Sequence, residues 1–164
     1  MQDTIITERL SLSFLTLDDC DFVKSLVNTK GWIEFIGDRH VHTNDDAIAY
    51  VTKIINTENL FYWVVRIKNN NMPVGIISFI KRNYLENFDI GFAFLPEYNG
   101  NGYAYEAAKE ILSMVNSIPG YYPVLATTLP QNVNSIKLLI KLGFHFEKQI
   151  DAEDEMLHIY SNSK

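Results

Sequence analysis

Cysteine is nearly absent from this sequence: Cys20 is its one thiol. An internal disulfide is therefore excluded, and a reducing compartment is expected. Basic residues are in deficit, with 14 Lys and Arg against 20 Asp and Glu for a net charge of -6. A general nucleic-acid binder needs a basic face to meet phosphates, so that class is set aside. The longest apolar run, Leu60 to Val65, falls far short of the ~20 residues a membrane helix needs. The opening Met1-Gln2-Asp3-Thr4-Ile5-Ile6 has no basic stretch ahead of an apolar one, so the pattern of a signal peptide is missing. Low-complexity segments and internal repeats are missing as well. These absences lead us to expect a soluble, cytoplasmic protein with no membrane partner, forming one domain over residues 1–164, as a monomer or homodimer.

What is present is the material for a core, 47% hydrophobic and 13% aromatic residues, which argues against disorder. Glu8 to Leu15 alternates apolar and polar positions and reads as a strand. Asp18 is placed to cap a helix with the stripe Phe22, Val23, Leu26 and Val27. Thr43 and Asp46 form a capping box for a second helix, with the stripe Ala47, Ile48, Val51, Ile54 and Ile55. Leu60–Lys68 and Met72–Arg82 read as strands joined through Asn69-Asn70-Asn71, since Asn tolerates left-handed backbone. Phe88–Leu95 is a third strand, stopped by Pro96. The period then changes: Ala104, Ala107, Ala108, Ile111, Leu112 and Val115 line one face of a helix that ends before Pro119-Gly120. A strand over Tyr122–Thr127, a helix over Asn134–Leu142 closed by Gly143, and strands over Phe144–Ile150 and Glu155–Tyr160 complete the chain. Hairpin-linked strands beside βαβ units predict an α/β (α+β) fold: one mixed, mostly antiparallel sheet of six or seven strands flanked by about four helices.

The most informative stretch is Pro96-Glu97-Tyr98-Asn99-Gly100-Asn101-Gly102-Tyr103-Ala104, between a strand and the amphipathic helix. Its glycines permit a sharp turn and a close backbone approach, and the helix start offers unsatisfied N–H groups to an anion. A plain turn and a phosphate cradle both fit this stretch taken alone. Two other nucleotide motifs fail. Tyr105 stands where a dinucleotide fingerprint needs its third glycine, and no P-loop pattern occurs.

Downstream lies Asn132-Val133-Asn134-Ser135, followed by Lys141-Leu142-Gly143-Phe144. The pair of segments, with the opening Thr7-Glu8-Arg9-Leu10, resembles the GCN5-related N-acetyltransferase (GNAT) superfamily, in particular the branch of the ribosomal-protein-alanine N-acetyltransferases. That resemblance covers nearly the whole chain. It implies an enzyme that moves an acetyl group from acetyl-coenzyme A, its cosubstrate, directly to a primary amine through a tetrahedral intermediate. It also implies site residues. Backbone N–H groups of Asn99, Gly100, Asn101, Gly102, Tyr103 and Ala104 would hold the pyrophosphate. Phe92, Ala93 and Phe94 would pair with the pantetheine arm, and Asn132 and Ser135 would lie near the thioester. Lys137 and Lys141 share a helix face and are either phosphate partners or solvated lysines.

The chain departs from the family pattern in three places. Asn99 replaces the usual Arg or Gln. Leu139 stands where some branches have a proton-donating Tyr, and Thr127 where they have a catalytic Glu. The chemistry still needs a neutral amine, a stabilised oxyanion and a protonated thiolate. Asp89, on the strand leading to Phe94, is the candidate base, against the alternative of a solvent-facing strand residue. Ser135 is the candidate acid, against the alternative of a cap for its own helix. Glu106 is a second carboxylate, read as structural or surface-exposed and not catalytic. Cys20 is read as a packing residue. His40, His42, His145 and His158 make no metal set with a single cysteine, so no metal is expected. The acidic loop Asp151-Ala152-Glu153-Asp154-Glu155 is either a solvated turn or a rim for a cationic acceptor. The acceptor is a protein N-terminus or a small amine such as a polyamine or aminoglycoside. The remaining reading is a coenzyme A-binding module without turnover.

Overall fold

A computed structural model describes residues 4–152 and 154–163. Among them the strands are β1 (Thr4–Ile6), β2 (Leu10–Phe14), β3 (Leu60–Ile67), β4 (Met72–Ile80), β5 (Asp89–Phe94), β6 (Leu125–Thr128), β7 (His145–Ala152) and β8 (Glu155–Ser161). The α-helices are α1 (Cys20–Val27), α2 (Lys30–Phe35), α3 (Asn44–Ile55), α4 (Tyr103–Asn116) and α5 (Val133–Lys141). All eight strands form one sheet in the order β1-β2-β3-β4-β5-β6-β8-β7. Every neighbouring pair is antiparallel except β5 and β6.

The extra strand and extra helix have local causes. The Thr7 N–H donates to the Leu10 carbonyl at 2.9 Å, turning the chain so that residues 4–6 pair back on β2. Thr29 caps α2 by accepting the Trp32 N–H, and Trp32 anchors that short helix in the core. Asp18 is exposed and does not cap α1. Its neighbour Asp19 instead accepts the N–H and hydroxyl of Thr16 at 3.0 and 3.1 Å, closing the turn that precedes the helix. Ile48 and Ile55 do not belong to the buried stripe of α3, being 47% and 44% exposed. They lie one residue past Ala47 and Ile54, about 100° round the helix. The strand expected from Tyr122 starts at Leu125, because Pro123 has no N–H and Val124 donates instead to Asn162 Oδ1 at 2.8 Å.

The two faces of the sheet are built differently. On one, Leu10, Leu12, Trp63, Val65, Ile77, Phe79 and Ile90 pack against Ala107, Ala108, Ile111 and Val115 of α4 and Leu139 of α5. The alanines let α4 approach closely, and each fully buried large side chain contributes roughly 1.5–3 kcal/mol. On the other face, α1 and α3 cover Val64 and Ile76 with Val23, Leu26, Val27, Ala47, Val51 and Ile54. Buried Asp19 meets Arg66 there, and Arg66 also donates to Ser13 Oγ at 2.9 Å. Cys20 is buried in this second cluster, and burial pushes its thiol pKa up, as suits a packing residue.

Phe79 is fully buried, stacked on Phe88 at 4.7 Å and edge-on to Tyr121 at 5.3 Å. Phe79→Ala removes these contacts and leaves a cavity. The expected loss of stability is about 3–5 kcal/mol, measured as a shift of the urea midpoint with little change in slope.

Candidate active site

The single parallel contact in the sheet fails almost as soon as it begins. β5 and β6 pair at Asp89 and Leu125, and no further register continues the ladder. β5 stays bonded along its whole length to β4, from Asp89 opposite Ile80 to Phe94 opposite Gly75. The β6-side edge of β5 past Asp89 is thus left open at Phe92, Ala93 and Phe94. Such an edge can accept an extended ligand as an added strand. Parallel strands that diverge also leave a crevice at their carboxyl ends, where ligands bind.

Each strand of this wedge runs into a helix start at the crevice. β5 continues through Pro96–Tyr98 to the turn of Asn99–Gly102 and into α4. Gly100 and Gly102 have φ of +80° and +79°, backbone that a side chain opposes. Among the described residues, no backbone acceptor serves the N–H groups of Gly100 through Tyr105; the first bond of the helix is from Glu106 to Gly102. Around this turn lies a cleft of about 260 Å³ whose walls include Phe94, Tyr98, Tyr105 and Leu138. Lys141 also lines it, 4.4 Å from the Tyr105 ring, whereas Lys137 is not among its lining residues. The sequence left these two lysines equivalent, and the α5 packing separates them.

The turn is fastened from the far end of the sheet. Arg9 donates through Nη1 to the Asn101 carbonyl at 2.9 Å and lies 4.8 Å from the Tyr103 ring. Its Nε donates to Glu106 Oε2 at 2.7 Å. The Thr7 hydroxyl and the Arg9 N–H both donate to Glu106 Oε1, at 2.6 and 2.8 Å. Glu106 is therefore structural, as its sequence position suggested. Thr7 and Arg9, visible in the sequence only as an opening motif, hold the turn. Partial burial alone would raise the Glu106 carboxyl pKa, but the hydrogen bonds from Thr7 and Arg9 outweigh it and hold the group below its ordinary value.

β6 continues past Leu129 and Pro130 into α5, whose cap is Asn132. The Asn132 Oδ1 accepts the Ser135 N–H at 3.2 Å. Ser135 is thus the capped residue and not the cap, leaving its half-buried hydroxyl one turn into the helix.

At the apex of the wedge sits Asp89. It is not the solvent-facing strand residue that alternation allowed, being 2% exposed. Arg82 Nε donates to its Oδ1 at 3.0 Å and the Thr127 hydroxyl to its Oδ2 at 3.1 Å. Strand alternation puts Asp89 on the face shared with Ala93, which packs against the α1–α3 layer. Tyr62 of β3 and Tyr50 of α3 are on that side too. Burial raises the pKa of the Tyr62 hydroxyl, with Tyr50 and Asp89 adding to the effect and Arg39 and Arg82 opposing it. Burial likewise raises Tyr50, against Arg39 and its bonds to Arg39 and Tyr62. Both phenols therefore stay neutral at physiological pH. This polar group of Arg39, Tyr50, Tyr62 and Arg82 was not found in the sequence, since its members come from four separate segments. The β7–β8 hairpin carries the acidic loop, of which Glu153 lies outside the described residues. With Thr128 paired to His158, the hairpin tip projects beyond the carboxyl end of β6.

The Glu106 anchor gives a pH-dependent expectation. Its depressed folded value means that its contribution is present at neutral pH and is lost as pH falls through that value. Glu106→Gln should lower the melting temperature at pH 7. The gap to the unsubstituted protein should close as pH drops below the ordinary glutamate value of about 4.3.

Comparison with known proteins agrees with this fold. Residues 9–145 match the acetyltransferase (GNAT) domain family. A Bacillus subtilis protein described as the uncharacterized N-acetyltransferase YnaD is 29% identical over 143 residues, 87% of this chain and 83% of its own. The crystal structure of a GNAT-family acetyltransferase from Bacillus anthracis superposes with a TM-score of 0.81 at 26% identity, covering 96% of each chain. The fold alone is shared with RimL, a ribosomal L7/L12 alpha-N-protein acetyltransferase solved with coenzyme A. There the TM-score is 0.83 at 13% identity, over 96% of this chain and 95% of that one. With a family match over most of its length, this chain belongs to the GNAT family of acetyltransferases.

Proposed function

We propose that this protein transfers the acetyl group of acetyl-coenzyme A to a primary amine. The observation that carries the reading is the wedge: an open strand edge with a cradle of N–H groups at its mouth and a buried carboxylate at its apex. The residues present fit the cosubstrate. N–H groups of Gly100 to Tyr105, the α4 dipole and Lys141 suit an anionic pyrophosphate. Gly100 through Ala104 would form that cradle, since the Asn99 N–H donates to the Pro96 carbonyl at 3.2 Å, and Phe92, Ala93 and Phe94 would offer backbone to the pantetheine arm. Asn132 holds the start of α5 so that Ser135 stands at the wedge. When bound, acetyl-coenzyme A supplies the thioester carbonyl that the amine attacks.

The protein must then move two protons. A lysine amine, with pKa about 10.4, is neutral only roughly once in a few thousand molecules at pH 7, whereas an α-amine near 8 needs less help. Asp89 is the proposed proton acceptor. The Thr127 hydroxyl is its contact to the wedge, so a carboxylate from β5 stands behind the position where other branches carry Glu. Ser135 is the proposed donor to the departing thiolate. Backbone N–H of the open β5 edge near Phe94 would stabilise the oxyanion. On the same side as Asp89, Tyr50 and Tyr62 offer neutral hydroxyls to the acceptor. The acidic β7–β8 tip favours a cationic acceptor, which fits both a protein N-terminus and a small amine.

Three measurements test this reading. Coenzyme A should raise the melting temperature by mass action; no shift at millimolar ligand, with the protein folded, would overturn it. Gly102→Val should abolish that binding while circular dichroism stays native, because the side chain blocks the backbone approach at φ +79°. Ser135→Ala and Asp89→Asn should each lower kcat by about two to four powers of ten in a thiol-release assay across amines and peptide N-termini. The Asp89→Asn loss should be larger at pH 7 than at pH 9, where more amine is already neutral. Near-normal kcat in both variants would leave proximity as sufficient. Coenzyme A binding with no turnover on any amine would instead identify a non-catalytic binding module.

A further inference from the structure

Asp38, His40 and His42 stand at every second residue of the segment joining α2 to α3. The segment is held from beneath. Val41, between the histidines, is 2% exposed. Its carbonyl accepts from Asn28 Nδ2 at 2.7 Å. Asp46 accepts the N–H groups of His42 and Thr43 at 3.0 and 2.7 Å. With Val41 turned inward, the side chains of Asp38, His40 and His42 are left at the surface.

Their mutual geometry is specific. Asp38 Oδ1 accepts the His40 N–H at 2.7 Å, and Asp38 Oδ2 lies 3.3 Å from His40 Nδ1. His40 adopts φ +53°, a left-handed conformation uncommon outside glycine. One donor atom from each of the three residues lies within 4.8 Å of the other two. Metal–ligand bonds of about 2.0–2.2 Å at tetrahedral angles separate neighbouring donors by about 3.4 Å. The Asp38–His40 pair is already at that spacing, and rotation of an exposed imidazole brings in the third donor.

Two imidazoles with one carboxylate suit a borderline divalent transition metal. Magnesium and calcium favour sites built wholly from oxygen. We propose that Asp38, His40 and His42 bind one divalent transition-metal ion per chain, of the zinc, nickel or copper class, with water completing the coordination. Arg39 lies inside the chelate, and its charge acts on Tyr50 beside the acceptor side of the wedge. An ion here therefore fastens the segment that carries Arg39.

The test uses the full chain, free of any affinity tag and stripped with chelator, titrated with Zn2+ or Ni2+ by calorimetry. One ion should bind per chain, and Mg2+ should give no saturable heat. His40→Asn keeps a residue that tolerates positive φ, and His42→Ala is exposed, so both variants should fold. Each should weaken binding at least tenfold, while His145→Ala on β7 should not. Bound metal should also slow amide exchange across residues 39–43. No saturable binding, equal affinity in the His40 and His42 variants, or equal loss in His145→Ala would overturn the site. Binding without slower exchange at residues 39–43 would overturn the fastening of Arg39.

Discussion

Backbone N–H and C=O groups must be paired wherever water is excluded, and a sheet ordinarily meets that demand strand by strand. Between β5 and β6 this one does not. The ladder holds at Asp89 and Leu125 and then opens, while β5 remains fully bonded to β4 on its other side. The proposed function depends on that interruption. It creates the strand edge that would be offered to pantetheine and sets the crevice into which α4 and α5 begin. It also places the buried Asp89 carboxylate at the point where the strands part.

The opening would be of little use if the turn above it were loose, since a glycine-rich loop loses much entropy on ordering. Order is supplied from outside. Arg9 spans the turn carbonyl of Asn101, the Tyr103 ring and the Glu106 carboxylate, and Thr7 adds a second donor to that carboxylate. The turn can thus leave the N–H groups of Gly100 to Gly102 without a backbone acceptor among the described residues and still keep its shape. The two faces of the sheet then divide the work. In the proposed function the α4–α5 side would present helix starts and Lys141 to the pyrophosphate, while the α1–α3 side would present Tyr50, Tyr62 and Asp89 to the amine.

Local signals were legible wherever one residue's role depended on near neighbours. The Thr43–Asp46 box, the α4 stripe, the Gly143 helix exit and the Asn69–Asn71 turn are all present, with Asn71 at φ +57° and Gly143 at φ +90°. Errors came where distant groups intervened. Asp18 looked like a cap because nothing in the linear pattern distinguishes it from Asp19, which Thr16 and Arg66 hold in place. Asp89 fits the exposed half of an alternating strand until Arg82 and Thr127 close over it. The approach of Asp38, His40 and His42 follows from a left-handed His40, which the linear pattern does not show.

The linear pattern alone thus carried the family and most of the order of elements, apart from β1 and α2, because each rests on contiguous residues whose backbone preferences and spacing act locally. What the tertiary structure added is the set of groups that hold each carboxylate, Thr7 and Arg9 for Glu106 and Arg82 and Thr127 for Asp89. It also separated the lysine that reaches the cleft from the one that does not, and brought four segments together around Tyr62. Those outcomes depend on strand order, on the failure of one ladder and on burial, and no short stretch of chain carries that information.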